Sequence, residues 1–147
     1  FARTLRKRRF RVSLNRAFND VIRGCQVRDE GTWITPAMLE AYEVLHRLGW
    51  AHSIEVWEED GTLAGGLYGI AVGGLYGAES MFHRVSDASK VAMVALRQHA
   101  LSVGTRLIDV QMQTDHLRSM GAVTMSRREY VTTVEEVTKL SVTFGAP

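Results

Sequence analysis

The run Arg106–Met112, RLIDVQM, sets an acid and an amide into an otherwise apolar stretch. In a strand, residues two apart leave the same face, so Asp109 and Gln111 share one side while Ile108 and Val110 share the other. An acid beside an amide can orient an amine and a carbonyl; the same spacing also suits a solvated face. Glu79, in Gly77-Ala-Glu-Ser-Met-Phe82, is a second carboxylate among apolar residues. Burying an acid is costly unless it is paired, so Glu79 reads as a holder of a cation. Other chemistries find no footing. His46, His52, His83, His99 and His116 fall on different elements, without HxH, HExxH or CxxC spacing, and no metal site is expected. There is no GxSxG nucleophile elbow, and Ser80 has no basic partner that the sequence can place. Cys25 falls on an apolar helix face and reads as a small core residue.

The elements that must position these groups follow from periodicity. Ser13 or Asn15 is expected to cap a first helix with Leu14, Ala17, Phe18, Val21, Ile22 and Cys25 on its buried face. Thr35-Pro36 opens a second helix with Met38, Tyr42 and Leu45 along one side, stopped by Gly49. Trp33, just ahead of it, reads as a core plug. Ser53–Glu58, Leu63–Val72 and Leu75–Phe82 form a meander, turned at Asp60-Gly61 and Gly73-Gly74. The two GGLYG copies at 65–69 and 73–77 are thus paired strands, not a phosphate-binding loop, and their glycines are expected to thin the wall of a cleft. Ser86 or Asp87 caps a third helix over Ala88–Val103, ended by Gly104. After the Arg106–Met112 strand, Thr114 or Asp115 caps a short helix stopped by Gly121. Val123–Arg127 alternates like a strand, Thr132-x-x-Glu135 resembles a capping box, and the tail to Pro147 carries no signal.

This order predicts an α+β domain with a mixed, mostly antiparallel sheet flanked by helices, and it resembles the GNAT-type acyltransferases. Members of that group that use acyl-CoA carry an (Arg/Gln)-x-x-Gly-x-(Gly/Ala) loop ahead of the long helix. The matching segment here, His83–Lys90, has no glycine.

The 147 residues are 46% hydrophobic and 23% charged, as expected of one globular domain. No apolar run is long enough to span a bilayer, and no apolar stretch of signal-peptide type follows the basic start. With a single cysteine, a reducing compartment and a cytoplasmic location are expected. The chain opens at Phe1, as a fragment or a processed product would. Arg3, Arg6, Lys7, Arg8, Arg9 and Arg11 crowd the first eleven residues, leaving 12 bases against 16 acids and a net charge of −4 beyond them. Residues 1–12 therefore read as a basic arm suited to a polyanion, and 13–147 as the folded domain.

Eight stretches occur together and in order: Gly31-Thr-Trp-Ile-Thr35, Ala41-Tyr-x-x-Leu-His46, Ala51-His-Ser-Ile-Glu-Val-Trp57, Gly65-Gly-Leu-Tyr-Gly69, Glu79-Ser-Met-Phe82, Asp87-Ala-Ser-Lys90, Leu107-Ile-Asp-x-Gln111 and Asp115-His-Leu-x-Ser-x-Gly-Ala122. Over residues 2–131 the chain closely resembles the bacterial leucyl/phenylalanyl-tRNA–protein transferase family.

The resemblance implies transfer of Leu, Phe or Met from aminoacyl-tRNA to the N-terminal Arg or Lys of a protein, which marks that protein for N-end-rule degradation. The reaction is aminolysis of an ester and implies no cofactor and no metal. Asp109 and Gln111 are then the catalytic pair, and Glu79 the carboxylate that reads the basic acceptor. Trp33 and Tyr42 are the platform for the terminal adenosine. Leu67, Tyr76, Met93 and Leu96 line the donor side-chain pocket, and a bulge at Gly77 is needed for Tyr76 and Glu79 both to reach the cleft. Arg3, Arg6, Lys7, Arg8 and Arg9 contact tRNA phosphates. A cytoplasmic monomer with no membrane partner is expected, lacking a small N-terminal domain that the family carries ahead of the arm. Two alternatives stand beside this reading: a GNAT-type acyl-CoA N-acyltransferase, and a truncated, non-catalytic tRNA-binding domain.

Overall fold

The computed structural model describes residues 10–27 and 32–147. A strand that the sequence did not announce comes first: β1, Arg11–Leu14, runs across the expected boundary between arm and domain. It is followed by helices α1 (Phe18–Gln26) and α2 (Pro36–Arg47), then the meander β2 (Ala51–Trp57), β3 (Leu63–Val72) and β4 (Leu75–His83). Helix α3 (Ala88–Val103), strand β5 (Leu107–Asp109), and helices α4 (Asp115–Ser119) and α5 (Arg127–Val137) complete the chain. The sheet order is β1-β2-β3-β4-β5, antiparallel throughout except for the parallel β4–β5 pair. The expected α+β class and mixed sheet are present.

Helices cover both faces of the sheet. Phe18, Val21, Ile22 and Cys25 of α1 and Tyr42 of α2 pack with Tyr68 on one side. Val91, Ala92, Leu96 and Ala100 of α3 pack with Ile54, Leu67 and Tyr76 on the other. Each large apolar side chain so buried contributes about 1.5–3 kcal/mol. The glycines of the first GGLYG copy make this closeness possible. A Cβ on Gly65 would lie 2.9 Å from Ala88 Cβ, and one on Gly66 would lie 2.7 Å from Ile54 O and 3.1 Å from Val21. These two glycines admit helices, not a substrate, so the expected cleft-wall role does not fall on them; Gly77 of the second copy is the one open beside Glu79.

Most boundaries follow the sequence, and the exceptions have physical causes. Neither Ser13 nor Asn15 caps α1. Asn15 takes φ +59° and is drawn to β2, accepting from Ser53 N and donating to His52 Nδ1. The backbone N–H groups of Arg16 and Ala17, just ahead of α1, donate instead to the buried carboxylate of Glu55, which Ser13 and Ser53 also bond. A fixed negative charge there favours the positive end of the helix. At α3 neither Ser86 nor Asp87 makes a side-chain cap; Asp87 occupies the N-cap with φ +70° and pairs with Lys90 at 3.0 Å. Thr35 and Thr114 do cap α2 and α4 through Met38 N and Leu117 N.

The expected strand at Val123–Arg127 does not form. Its would-be neighbour β5 stops after three residues, because Gln111 adopts φ +63° and turns the chain away. A capping box of Ser126 and Glu129 then opens α5 at Arg127, ahead of the expected Thr132/Glu135 box. The tail is not idle either. Phe144 is buried and stacks on Tyr76 at 4.5 Å between centroids, and its carbonyl is held by His99 Nε2. Among the described residues, no helix is long and apolar enough to cross a membrane.

Candidate active site

The site is built where the parallel β4–β5 pair ends. Between β3 and β4 the register runs Gly69↔Ala78, then Tyr68↔Ser80, so Glu79 is the extra residue of a β-bulge. The bulge expected at Gly77 is thus two residues further on, and it separates Tyr76 from Glu79. Tyr76 turns into the core, fully buried, and donates its hydroxyl proton to His52 O at 3.0 Å. Burial, followed by the nearby charges of Glu79 and Glu55, holds its phenol well above the ordinary range. Glu79 turns to the cleft, where its Oε2 accepts from Gln111 Nε2 at 3.3 Å. Tyr42 on α2 approaches the same carboxylate: burial, then the Glu79 charge, then a hydrogen-bond interaction with it push the phenol up to about 12.

Asp109 and Gln111 come together, but not by strand pairing of side chains. The strand has ended, and Asp109 Oδ1 accepts from the backbone N–H of Gln111 at 2.7 Å, a local turn that holds Gln111 in its left-handed conformation. Such a conformation costs on the order of 1–3 kcal/mol and collects at functional sites. It swings the Gln111 amide over β4 to reach Glu79. The other oxygen, Asp109 Oδ2, accepts from the hydroxyl of Tyr130 on α5 at 2.6 Å. Glu79, Gln111, Asp109 and Tyr130 thus form one connected polar line, with Tyr42 near its Glu79 end.

Two cavities meet at Gln111. A cleft of about 230 Å³ is lined by Trp33, Leu67, Glu79, Met81, Met93 and Gln111. A trough of about 510 Å³ on the other side is lined by Asp109, Gln111, Tyr130 and the segment Val123–Met125. Trp33 is 43% exposed at the cleft, while Ile34 beside it is fully buried, so Ile34 and not Trp33 is the core plug. Of the four residues expected to line a donor pocket, Leu67 and Met93 face the cleft, whereas Tyr76 and Leu96 lie in the core behind it. Arg3, Arg6, Lys7, Arg8 and Arg9 lie outside the described residues. Met81 lines the cleft beside Glu79, as residues two apart in a strand do, whereas sequence reasoning misses Tyr130. Tyr130 sits on a helix whose start depended on recognising Ser126-x-x-Glu129.

Residues 1–135 match the family described as leucyl/phenylalanyl-tRNA protein transferase. The chain belongs to that family. It is 53% identical over 138 residues to the leucyl/phenylalanyl-tRNA–protein transferase of Syntrophobacter fumaroxidans, covering 91% of this chain and 58% of that protein. It is 46% identical over 145 residues to that of Shewanella woodyi, covering 97% and 61%. The chain therefore spans about three-fifths of the length of these leucyl/phenylalanyl-tRNA–protein transferases.

The fold of this family member is shared more widely. An aminoglycoside acetyltransferase from an uncultured soil metagenomic sample, solved with sisomicin, superposes with a TM-score of 0.65 at 15% identity, covering 82% of this chain and 93% of that one. A ribosomal-protein-alanine N-acetyltransferase from Brucella melitensis superposes with a TM-score of 0.56 at 13% identity, covering 80% and 93%. The GNAT-type architecture expected from the element order is present, and at these identities the likeness concerns the fold alone.

Proposed function

We propose that this chain carries the catalytic domain of an aminoacyl-tRNA–protein transferase, moving Leu, Phe or Met from tRNA onto the α-amine of a protein that begins with Arg or Lys. The observation that carries the reading is the contact of Glu79 with Gln111 across the β4–β5 end, beside a carboxylate held by two hydrogen bonds. Glu79 offers two oxygens to a guanidinium or ammonium, a charge-assisted pairing. Gln111 contacts the attacking amine and Asp109 orients it.

The amine nitrogen attacks the ester carbonyl carbon, an amide bond forms, and the carbonyl–oxygen bond to the terminal ribose breaks. The proton lost by the nitrogen ends on the departing oxygen, carried by substrate or water. An amide is too weak a base to take it, so the contribution of the pair is position and electrostatics. Trp33 serves the terminal adenosine, a stacking contact worth about 1–3 kcal/mol, whereas Tyr42, expected beside it, is buried against Tyr68 and stands behind Glu79. Leu67 and Met93 line the donor pocket, with Tyr76 and Leu96 forming the layer behind. Such an apolar pocket excludes polar side chains but separates Leu, Phe and Met by only about 1–3 kcal/mol.

Arg3, Arg6, Lys7, Arg8 and Arg9, in the basic run ahead of β1, meet the tRNA backbone without reading sequence. The protein works as a cytoplasmic monomer without cofactor, and its product is a degradation signal. An acyl-CoA reaction is less well supported: the segment His83–Lys90 leading into α3 has no glycine that would let backbone N–H groups close around a pyrophosphate.

The test is transfer of radiolabelled leucine from Leu-tRNA to a peptide beginning with Arg, using the complete gene product. Transfer that Asp109→Ala abolishes supports the reading. No transfer overturns it, and tRNA binding with a steep salt dependence but no turnover would point to a binding domain.

A further inference from the structure

β5 is an edge strand. Leu107 N donates to Gly74 O of the neighbouring turn at 3.1 Å. In a parallel pair alternate residues face the same neighbour, so Ile108 directs its backbone N–H and C=O away from β4. Among the described residues, nothing hydrogen-bonds to those two groups from the outer side. Across the 510 Å³ trough lies Val123–Met125, exposed and in no helix or strand. The trough therefore has an unpaired strand edge on one wall and irregular, solvent-exposed backbone on the other. Asp109, Gln111 and Tyr130 line it too. Its volume lies in the range of about 300–1,000 Å³ typical of ligand sites.

We propose that this trough receives the first three or four residues of the acceptor polypeptide as an added strand, antiparallel to β5 and paired through Ile108. The inference rests on the transferase reading above and adds the path of the acceptor chain beyond its first residue. Continuity with the reacting groups selects this occupant: Gln111 lines both cavities, so an α-amine held at Asp109 and Gln111 can send its first side chain toward Glu79 in the cleft. The rest of the chain is then left in the trough. β5 runs from Leu107 to Asp109, so a chain leaving Asp109 along that edge runs the opposite way. At roughly 3.3 Å per residue, three strand residues offer about 10 Å of edge. Main-chain pairing of this kind gives affinity while tolerating most side chains, which suits a site whose selectivity lies at the terminal residue.

The experiment uses the complete gene product, Leu-tRNA, and a series from arginine amide to a six-residue peptide beginning with Arg. Acceptor kcat/KM is expected to rise about tenfold from dipeptide to tetrapeptide and then level, the yield of one or two net hydrogen bonds. N-methylating the peptide backbone at residues two and three should erase that gain, while N-methylation at residue six should leave it. Transfer that is equally efficient to arginine amide and hexapeptide, or indifferent to N-methylation, overturns the trough but leaves the transferase reading standing. No transfer to any acceptor overturns both. Slow hydrogen exchange at the Ile108 amide of the free protein would also overturn the proposal, since another part of the chain or a second copy would then already cover the edge.

Discussion

Tyr130 donates its phenolic proton to Asp109 Oδ2 at 2.6 Å from a helix 21 residues further along the chain. The opposite oxygen of the same carboxylate receives the Gln111 backbone N–H at 2.7 Å. One side chain thus links the last helix to the strained turn on which the Gln111 amide depends. Tyr130→Phe removes only the hydroxyl, and we expect kcat to fall about three- to tenfold with donor and acceptor KM unchanged, the loss of one charge-assisted hydrogen bond. Steady-state kinetics check this; a rise in KM with kcat intact would show that Tyr130 shapes binding and does not position Asp109.

Glu79 is extruded by the bulge toward the Gln111 amide, where a cationic side chain would complete its hydrogen bonds. Glu79→Gln keeps the shape and removes the charge. The preference for Arg-starting over citrulline-starting peptides should shrink by about one to two orders of magnitude, the yield of a charge-assisted pair. Competition between the two peptides measures it, and an unchanged preference would sink the assignment.

Phe144 fills the space between Tyr76, His52 and His99 in the layer behind the cleft. Phe144→Ala should destabilise the domain by about 3–5 kcal/mol, as large-to-small core changes do. Urea unfolding followed by circular dichroism reads this as a lower midpoint at constant slope. A change under 1 kcal/mol would mean that the tail is not part of the core in solution.

His52 is buried, with Asn15 donating to Nδ1 at 2.9 Å and Gly49 O receiving Nε2–H at 3.0 Å. Burial lowers its pKa from the ordinary 6.5 to about 4; the bond to Gly49 opposes this, and the charges of His46 and His99 add to it. The native state therefore keeps His52 neutral where the unfolded chain takes up a proton. Its stabilising contribution is complete above pH 6.5 and drains away as pH falls toward 4. Melting temperature should drop across that window, and less steeply in His52→Gln. Identical pH slopes for the two proteins would count against a neutral buried imidazole.

Much of this arrangement is legible in the sequence because it is local. Thr35-Pro36 and Thr114 announce helices whose first N–H groups need acceptors, and Gly49, Gly104 and Gly121 end helices with positive φ that other residues resist. Apolar period and turn residues placed the meander, and eight ordered motifs pointed to the family. What the sequence could not reveal is non-local. Glu55, from a strand far along the chain, holds the N–H groups just ahead of α1, and neither Ser13 nor Asn15 caps it. Phe144 enters the core only because Tyr76 and His99 leave room for it.

The catalytic candidates divide along the same line. Composition and spacing alone marked Asp109, Gln111 and Glu79, since polar groups in apolar strands demand a reason. Their geometry came from the tertiary structure: strand parity predicted one shared face, whereas a left-handed turn at Gln111, a bulge at Glu79 and a tyrosine from a distant helix assemble the site. Bulges and positive-φ turns depend on what the neighbouring strand and helix supply, and periodicity within one segment carries no record of those neighbours.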